Sequence, residues 1–459
     1  MPAQRTKLDD LLKDTKKARL IPAYDQKQLE QRLTTVLLAS MTVVRPLAKG
    51  LIKIWAGRNY GARSRLKAYT EVSFPRSGTE SGSLRPDGVL VLTTGSQRWT
   101  ALVEAKARGN PIDEEQVEAY VSVARDYGID AVLTVSNQRA ALPDHLPYPP
   151  PRNQPRGRSR VDVRHGSWAS IGTEAALILN SEQDVDDEQR YILEELVAYF
   201  GHPKSGVLPF DQMNPEWPSV VDACRNGRPV SKAEREATVG AWHQEVRDIC
   251  LILSERTHQR VDTFLPRKHK AGTEGARRRL EDDCASLSSL WELGCDIRIP
   301  NAASDVRLDV DFSARTIECS MALKSPRDRK TPKARINWLK MQLRNKTEDP
   351  GDVVVRAKWH GRVPDTQTTL AQIIDDAGSL LSNGSANLTS FVIIMQQELS
   401  GQFRSRKKFV ARLEELVDDY YARVGQHLRA WQEPPPKVAS RGETAVNQPA
   451  VGEMAGDSE

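Results

Sequence analysis

Three fragments of this chain have the residue types and spacing for a reaction: Arg85-Pro86-Asp87-Gly88, Val103-Glu104-Ala105-Lys106, and Gln116 with Tyr120 four positions on. Carboxylate oxygens suit a hard divalent cation, and an ammonium beside an attacked phosphate offsets the charge that grows there. The chemistry is metal-assisted hydrolysis of a phosphodiester. Each fragment alone is commonplace, since Pro-Asp is ordinary turn chemistry and Glu-x-Lys triplets abound on solvated surfaces. The elements that would bring them together set this group apart.

Residues 89–92 form an apolar run, Thr94-Gly95-Ser96-Gln97 has turn composition, and residues 99–103 are rich in strand formers, which predicts a β-hairpin. With Thr93 paired to Arg98 across a four-residue loop, the antiparallel register sets Asp87 opposite Glu104. Residues two apart share a strand face, so Glu104 and Lys106 point the same way. Like charges at this spacing repel, which favours a bound cation. Asp113 then caps a helix whose apolar positions Val117, Tyr120, Val121 and Ala124 follow helical spacing, and Gly128 closes it. Gln116 and Tyr120 lie one turn apart on it. Residues 131–135 read as a buried strand, so the local order is strand, strand, helix, strand.

That order, with Pro86-Asp87, Glu104-x-Lys106 and Gln116-x-x-x-Tyr120, resembles the PD-(D/E)xK nuclease superfamily, and the last element resembles its RecB-type QxxxY branch. Residues 71–137 also resemble the nuclease-like region of actinobacterial proteins labelled stress-response proteins. The resemblance implies an α/β protein with a restriction-endonuclease-like mixed sheet flanked by helices, hydrolysing nucleic acid, DNA rather than RNA, with Mg2+ or Mn2+. It implies that Asp87, Glu104 and the Ala105 carbonyl hold the metal and that Lys106 orients the attacking water and offsets transition-state charge. Glu71 takes the place of the upstream acidic residue and joins the metal ligands, with Glu80 as competitor. Gln116 and Tyr120 steady the site and contact the incoming phosphate. Three of these have rival structural readings: Gln116 sits where a capping box would place it, Tyr120 suits a core, and Glu71 suits a surface position equally. The rival from another class is a non-catalytic scaffold on a nuclease fold that binds nucleic acid or a separate protein partner.

A chain of 459 residues suggests about three units. The expected division is an N-terminal helical segment (1–60) broken near Pro46, a nuclease-like domain (61–182) with an exposed Pro/Arg-rich loop at 142–160, a helical connector (183–260), a second α/β domain (261–431) and a disordered tail (432–459). No apolar run approaches the ~18 residues of a membrane span and the first 17 residues are charged, so a cytoplasmic protein without a membrane partner is expected. The five cysteines form no CxxC pair, the eight histidines no zinc spacing, and no GxxxxGK[ST] stretch signals ATP use.

The net charge of +5 is mild, so nucleic-acid contact must come from a local cluster. Residues 324–346 are dense in Lys and Arg. A helix opened by Thr331-Pro332 would turn Ile336, Leu339 and Leu343 inward and place Lys333, Lys340 and Arg344 on an outer side, either to track phosphates or as a solvated basic face. Asp309, Asp311 and Glu318 suggest another acidic hairpin, but no lysine follows Glu318 at the matching place. A second active site is not expected there; the alternatives are a degenerate duplicate of the first domain and an unrelated module. Residues 409–431 read as an amphipathic helix packed on this unit.

Overall fold

The computed structural model describes residues 2–13, 15–20, 28–75, 83–152, 160–181, 185–382 and 387–433. Glu80, residues 153–159 of the Pro/Arg-rich segment and the tail from 434 onward lie outside them.

The chain opens with α1 (Pro2–Lys13) and the short β1 (Lys16–Lys17). The helical pattern expected to break near Pro46 becomes α2 (Leu29–Val43) and α3 (Arg45–Ala56), bent by 112°. Pro46 falls in the first turn of α3, where its missing N–H removes no helical hydrogen bond. Next come β2 (Ser64–Thr70), a small ribbon of β3 (Phe74–Pro75) and β4 (Ser83–Leu84), and the hairpin β5 (Gly88–Thr94) and β6 (Gln97–Ala105). Helix α4 (Glu114–Asp126), β7 (Ala131–Ser136), β8 (Asp162–Ser167), α5 (Trp168–Leu179) and α6 (Asp187–Gly201) complete the first unit.

Six strands form one mixed sheet in the order β1-β2-β5-β6-β7-β8, antiparallel as far as β6 and parallel through β6, β7 and β8. Thr93 pairs with Arg98, as the sequence predicts, but Thr94 also pairs with Gln97. The connection is therefore two residues rather than four, and Gly95 makes the reversal with φ +59°. Strand alternation divides the sheet between two apolar layers. Ala101, Val103 and Ala105 pack with Leu33, Leu37 and Leu51 of the N-terminal helices and with Trp168. Leu102, Val89 and Val91 pack on the opposite side with Val117, Tyr120 and Val121 of α4.

The second unit contains α7 (Trp217–Arg225), α8 (Lys232–Thr257), β9 (Asp262–Phe264), α9 (Gly272–Ser289), β10 (Glu292–Arg298), β11 (Val306–Asp311) and β12 (Thr316–Lys324). It continues with α10 (Pro332–Leu343), β13 (Val353–Trp359), β14 (Thr366–Thr369), α11 (Leu370–Asp375), β15 (Leu388–Glu398) and α12 (Arg406–Arg423). Its seven strands run β14-β13-β15-β12-β11-β10-β9, every pair antiparallel. The parallel run of the first sheet has no counterpart, which favours an unrelated module over a degenerate duplicate. Helix α12 ends at Arg423, before the apolar pattern does, although Val424 and Leu428 are buried beyond it.

The residues expected as a connector divide between two cores. Leu193, Leu196 and Phe200 of α6 join the first, whereas Trp217, Trp242 and Ile249 of α7 and α8 join the second. The expectation of an exposed loop holds for Pro149, Pro150, Arg152 and Arg160 but fails for 142–148. His145 and Tyr148 are buried, and the Tyr148 hydroxyl lies 2.7 Å from Thr134 Oγ1 on β7. Among the described residues no single helix is long and apolar enough to cross a membrane.

Candidate active site

The hairpin register places Gly88 opposite Val103, so the next pair outward is Asp87 and Glu104. A Cβ at Gly88 would lie 2.4 Å from Leu38 Cδ1 of α2, so a larger residue would displace that side chain. Period-two alternation puts Glu104, with Leu102, on the sheet face covered by α4. The ladder continues one residue beyond β6, since the Lys106 N–H donates to the Val135 carbonyl at 2.8 Å. The Lys106 carbonyl in turn accepts from Trp168 Nε1 at 2.8 Å. The Lys106 backbone is thus held by the parallel strand through its N–H and by a buried indole through its carbonyl.

Two carboxylates and one ammonium converge. The Ala105 N–H donates to Asp87 Oδ2 at 2.8 Å, and Lys106 Nζ donates to Glu104 Oε1 at 2.7 Å. Glu104 is 3% exposed. Burial, and then the charge of Glu104, pushes the Asp87 carboxyl up to about 7, against the pull of the Ala105 N–H and Lys106. Burial also raises Glu104, although its hydrogen bond from Lys106 opposes this. For Lys106, burial alone would lower the pKa; the Glu104 hydrogen bond and the charges of Glu104, Glu30 and Asp87 outweigh it, so the ammonium is held above its ordinary range.

Tyr120 is both core and site. Its ring is buried, while its hydroxyl donates to the Arg85 carbonyl at 3.2 Å and so pins the turn that carries Asp87. Gln116 Nε2 donates to the Tyr120 hydroxyl at 3.0 Å. The cap of α4 is made by Asp113, which accepts from the Glu115 and Gln116 N–H groups. The capping-box reading of Gln116 therefore gives way to a role beside Tyr120. Burial, and then the Glu104 charge, raises the Tyr120 phenol and keeps it neutral.

Glu71 lies one position beyond Thr70, which pairs with Gly88, the neighbour of Asp87. It follows the end of β2 in a left-handed conformation, φ +61°, and forms ion pairs with Lys16, at 2.5 Å, and with Arg85. The Lys16 hydrogen bond is the leading reason its carboxyl stays below the usual range. The acidic side chain that reaches the Asp87–Glu104 pair electrostatically is Glu30, in the first turn of α2. Glu30 Oε1 accepts from the Ala107 N–H at 3.1 Å and from Asn110 Nδ2 at 3.0 Å. Sequence reasoning missed Glu30 because 74 residues separate it from Glu104; an acidic residue opening the first apolar helix was the available signal.

Among the described residues no group of three or more His, Cys, Asp or Glu side chains gathers as a metal nest. The donors at hand are Asp87 and Glu104, with the backbone of Ala105 next to Glu104 on β6. In the second unit, Asp309 faces Glu318 across β11 and β12, and Arg307 NH2 holds Asp309 at 2.6 Å. Helix α10 forms as expected, with Thr331 as N-cap and Ile336, Leu339 and Leu343 buried. Arg344 is exposed and Lys333 is exposed 3.8 Å from Asp376. Lys340 is not on the outer side as expected: it is half-buried and donates to the Ile374 carbonyl.

No protein-family model, no curated protein and no solved structure matches this chain.

Proposed function

We propose that this chain is an Mg2+- or Mn2+-dependent nuclease that hydrolyses phosphodiester bonds in nucleic acid, DNA in preference to RNA, on a restriction-endonuclease-like fold of the RecB-type QxxxY branch. The observation that carries the proposal is the convergence of Asp87, Glu104 and Lys106 at one end of the β5–β6 hairpin. Burial and the Glu104 charge raise Asp87, burial and the Glu30 charge raise Glu104, and carboxylates so placed weaken a fold while one lysine neutralises only one of them.

The donor set fits a small hard cation, which is commonly held through one or two carboxylates, with substrate phosphate and water completing its shell. Asp87, Glu104 and the Ala105 carbonyl would hold it. When bound, it supplies Lewis-acid stabilisation of charge on the attacked phosphate. Lys106 stays protonated through the neutral range and offers donors to the phosphate oxygens and to the attacking water. Tyr120 and Gln116 hold the Arg85-Pro86-Asp87 turn in place, so the carboxylates meet substrate without reorganising. Because Asp87 loses its proton only near 7, cleavage at limiting metal should rise as pH increases through neutrality. The free thiols of all five cysteines accord with a cytoplasmic setting.

The test is incubation of the purified chain with linear, circular and single-stranded DNA and with RNA, in Mg2+, Mn2+ or chelator. Metal-dependent cleavage that prefers linear DNA, and that Glu104→Gln and Lys106→Ala abolish, is the expected result. Wild-type rates in those variants would place hydrolysis elsewhere. No cleavage of any substrate would leave the scaffold reading.

A further inference from the structure

Where the two units meet, a cavity of about 380 Å³ lies between residues 139–150 of the first unit and helices α8 and α9 of the second. It shares no residue with the site around Asp87. Its volume is within the range of ligand pockets, and much of its wall is apolar, with Leu146, Pro147, Tyr148, Pro149, Ala276 and Leu280.

Two polar side chains in the lining stand out. Arg279, on α9, is 5% exposed, and its closest carboxylate is Asp283, with Nε 3.9 Å from Oδ2, beyond hydrogen-bond reach. Asp283 is already engaged by His243 Nε2 at 2.6 Å. Among the described residues nothing hydrogen-bonds the Arg279 guanidinium. His145 is 7% exposed, and its Nε2 is buried without a partner. The other cations of the lining are committed, Arg139 to Asp248 and Arg277 to Glu274 and Glu281.

A guanidinium buried without a hydrogen-bonded anion is destabilising, and so is an orphaned imidazole nitrogen. An oxyanion in the cavity would satisfy the Arg279 guanidinium. Arg presents a planar fork that matches carboxylate and phosphate equally well. Glu236, on the same lining, disfavours a polyanion. We propose that this cavity binds a small molecule carrying one oxyanion group on an apolar body, with Arg279 gripping the oxyanion.

The experiment is calorimetric titration of the full chain in chelator, which removes any metal-held phosphate elsewhere. The probes are benzoate, adenosine monophosphate and inorganic phosphate, with benzyl alcohol and adenosine as neutral counterparts. Saturable one-to-one binding of benzoate or the nucleotide, with the neutral counterparts and inorganic phosphate at least about tenfold weaker, is expected. Benzoate alone would identify a carboxylate ligand and the nucleotide alone a phosphate one. Arg279→Gln should weaken binding about ten- to a hundredfold. In case that variant misfolds, Gly240→Leu projects a larger side chain from the α8 wall of the cavity, where a Cβ meets nothing within 4 Å. It should abolish binding with the fold intact. No binding by any probe, equal binding of charged and neutral probes, or binding unchanged in Gly240→Leu would overturn the proposal.

Discussion

Replacing Asp87 by Asn removes one charge from the buried pair yet keeps an oxygen to accept from the Ala105 N–H. In the folded chain this carboxyl sits at about 7 instead of its ordinary 3.8. Between these values the folded state binds more protons than the unfolded one, so stability falls as pH rises and the whole penalty is present above neutrality. At about 1.4 kcal/mol per pH unit the full difference would be about 4 kcal/mol. Glu104 shares the strain and solvent reaches part of the site, so about 1–3 kcal/mol is the working expectation. Asp87→Asn should therefore be more stable than wild type at pH 8 in chelator and equal to it near pH 4. Added Mg2+ should stabilise the wild type at pH 8 and leave the variant unmoved, because metal binding to the native state alone acts by mass action. Urea unfolding across pH 4–9, with and without Mg2+, measures all of this. A variant less stable than wild type at pH 8, or a difference that does not change with pH, would refute the charge-repulsion argument.

The remaining predictions concern residues around and beyond the site. Glu30→Gln should lower metal-dependent cleavage about 10- to 100-fold, as loss of a supporting contact at a metal site does, while Glu71→Gln should alter stability by no more than about 1 kcal/mol and leave turnover near wild type; parallel rate assays decide between them. Glu245 on α8 is fully buried with both oxygens unpartnered, and burial, then Glu414 and Asp248, drives its carboxyl well above 4.5. Glu245→Leu should stabilise the chain by about 1–3 kcal/mol at pH 8 and by less at pH 4, read from denaturant midpoints. If α10 contacts phosphates, replacing Lys333 and Arg344 by Gln should flatten the salt dependence of duplex binding by up to about 0.9 log units per lost contact, whereas Lys340→Gln should instead lower stability; parallel salt slopes would leave α10 a solvated face.

The local pattern of this sequence determined a great deal. Two apolar runs flanking a turn set the hairpin, and because side chains on a strand repeat every two residues, its register alone brought Asp87 opposite Glu104 and aligned Lys106 with it. Helical spacing and cap chemistry gave α4 its Asp113 cap and its buried face, and Thr331-Pro332 opened α10. Tertiary structure decided what such periodicities cannot encode. Glu30 reaches the site only because α2 packs across the sheet, and Glu71 is engaged by Arg85 and by Lys16, the latter brought to it when β1 aligns on β2. Lys340 lies on a helix whose outer side is covered in part by α11, so its ammonium meets the Ile374 carbonyl instead of solvent. The Pro-rich segment lacks a strand or helix pattern, yet its His145 and Tyr148 are buried because β7 and α9 lie against it, and that packing creates the cavity over Arg279. Short-range spacing specifies which face a side chain takes; what that face meets is set by contacts between residues far apart in the chain, and those form only when the layers pack.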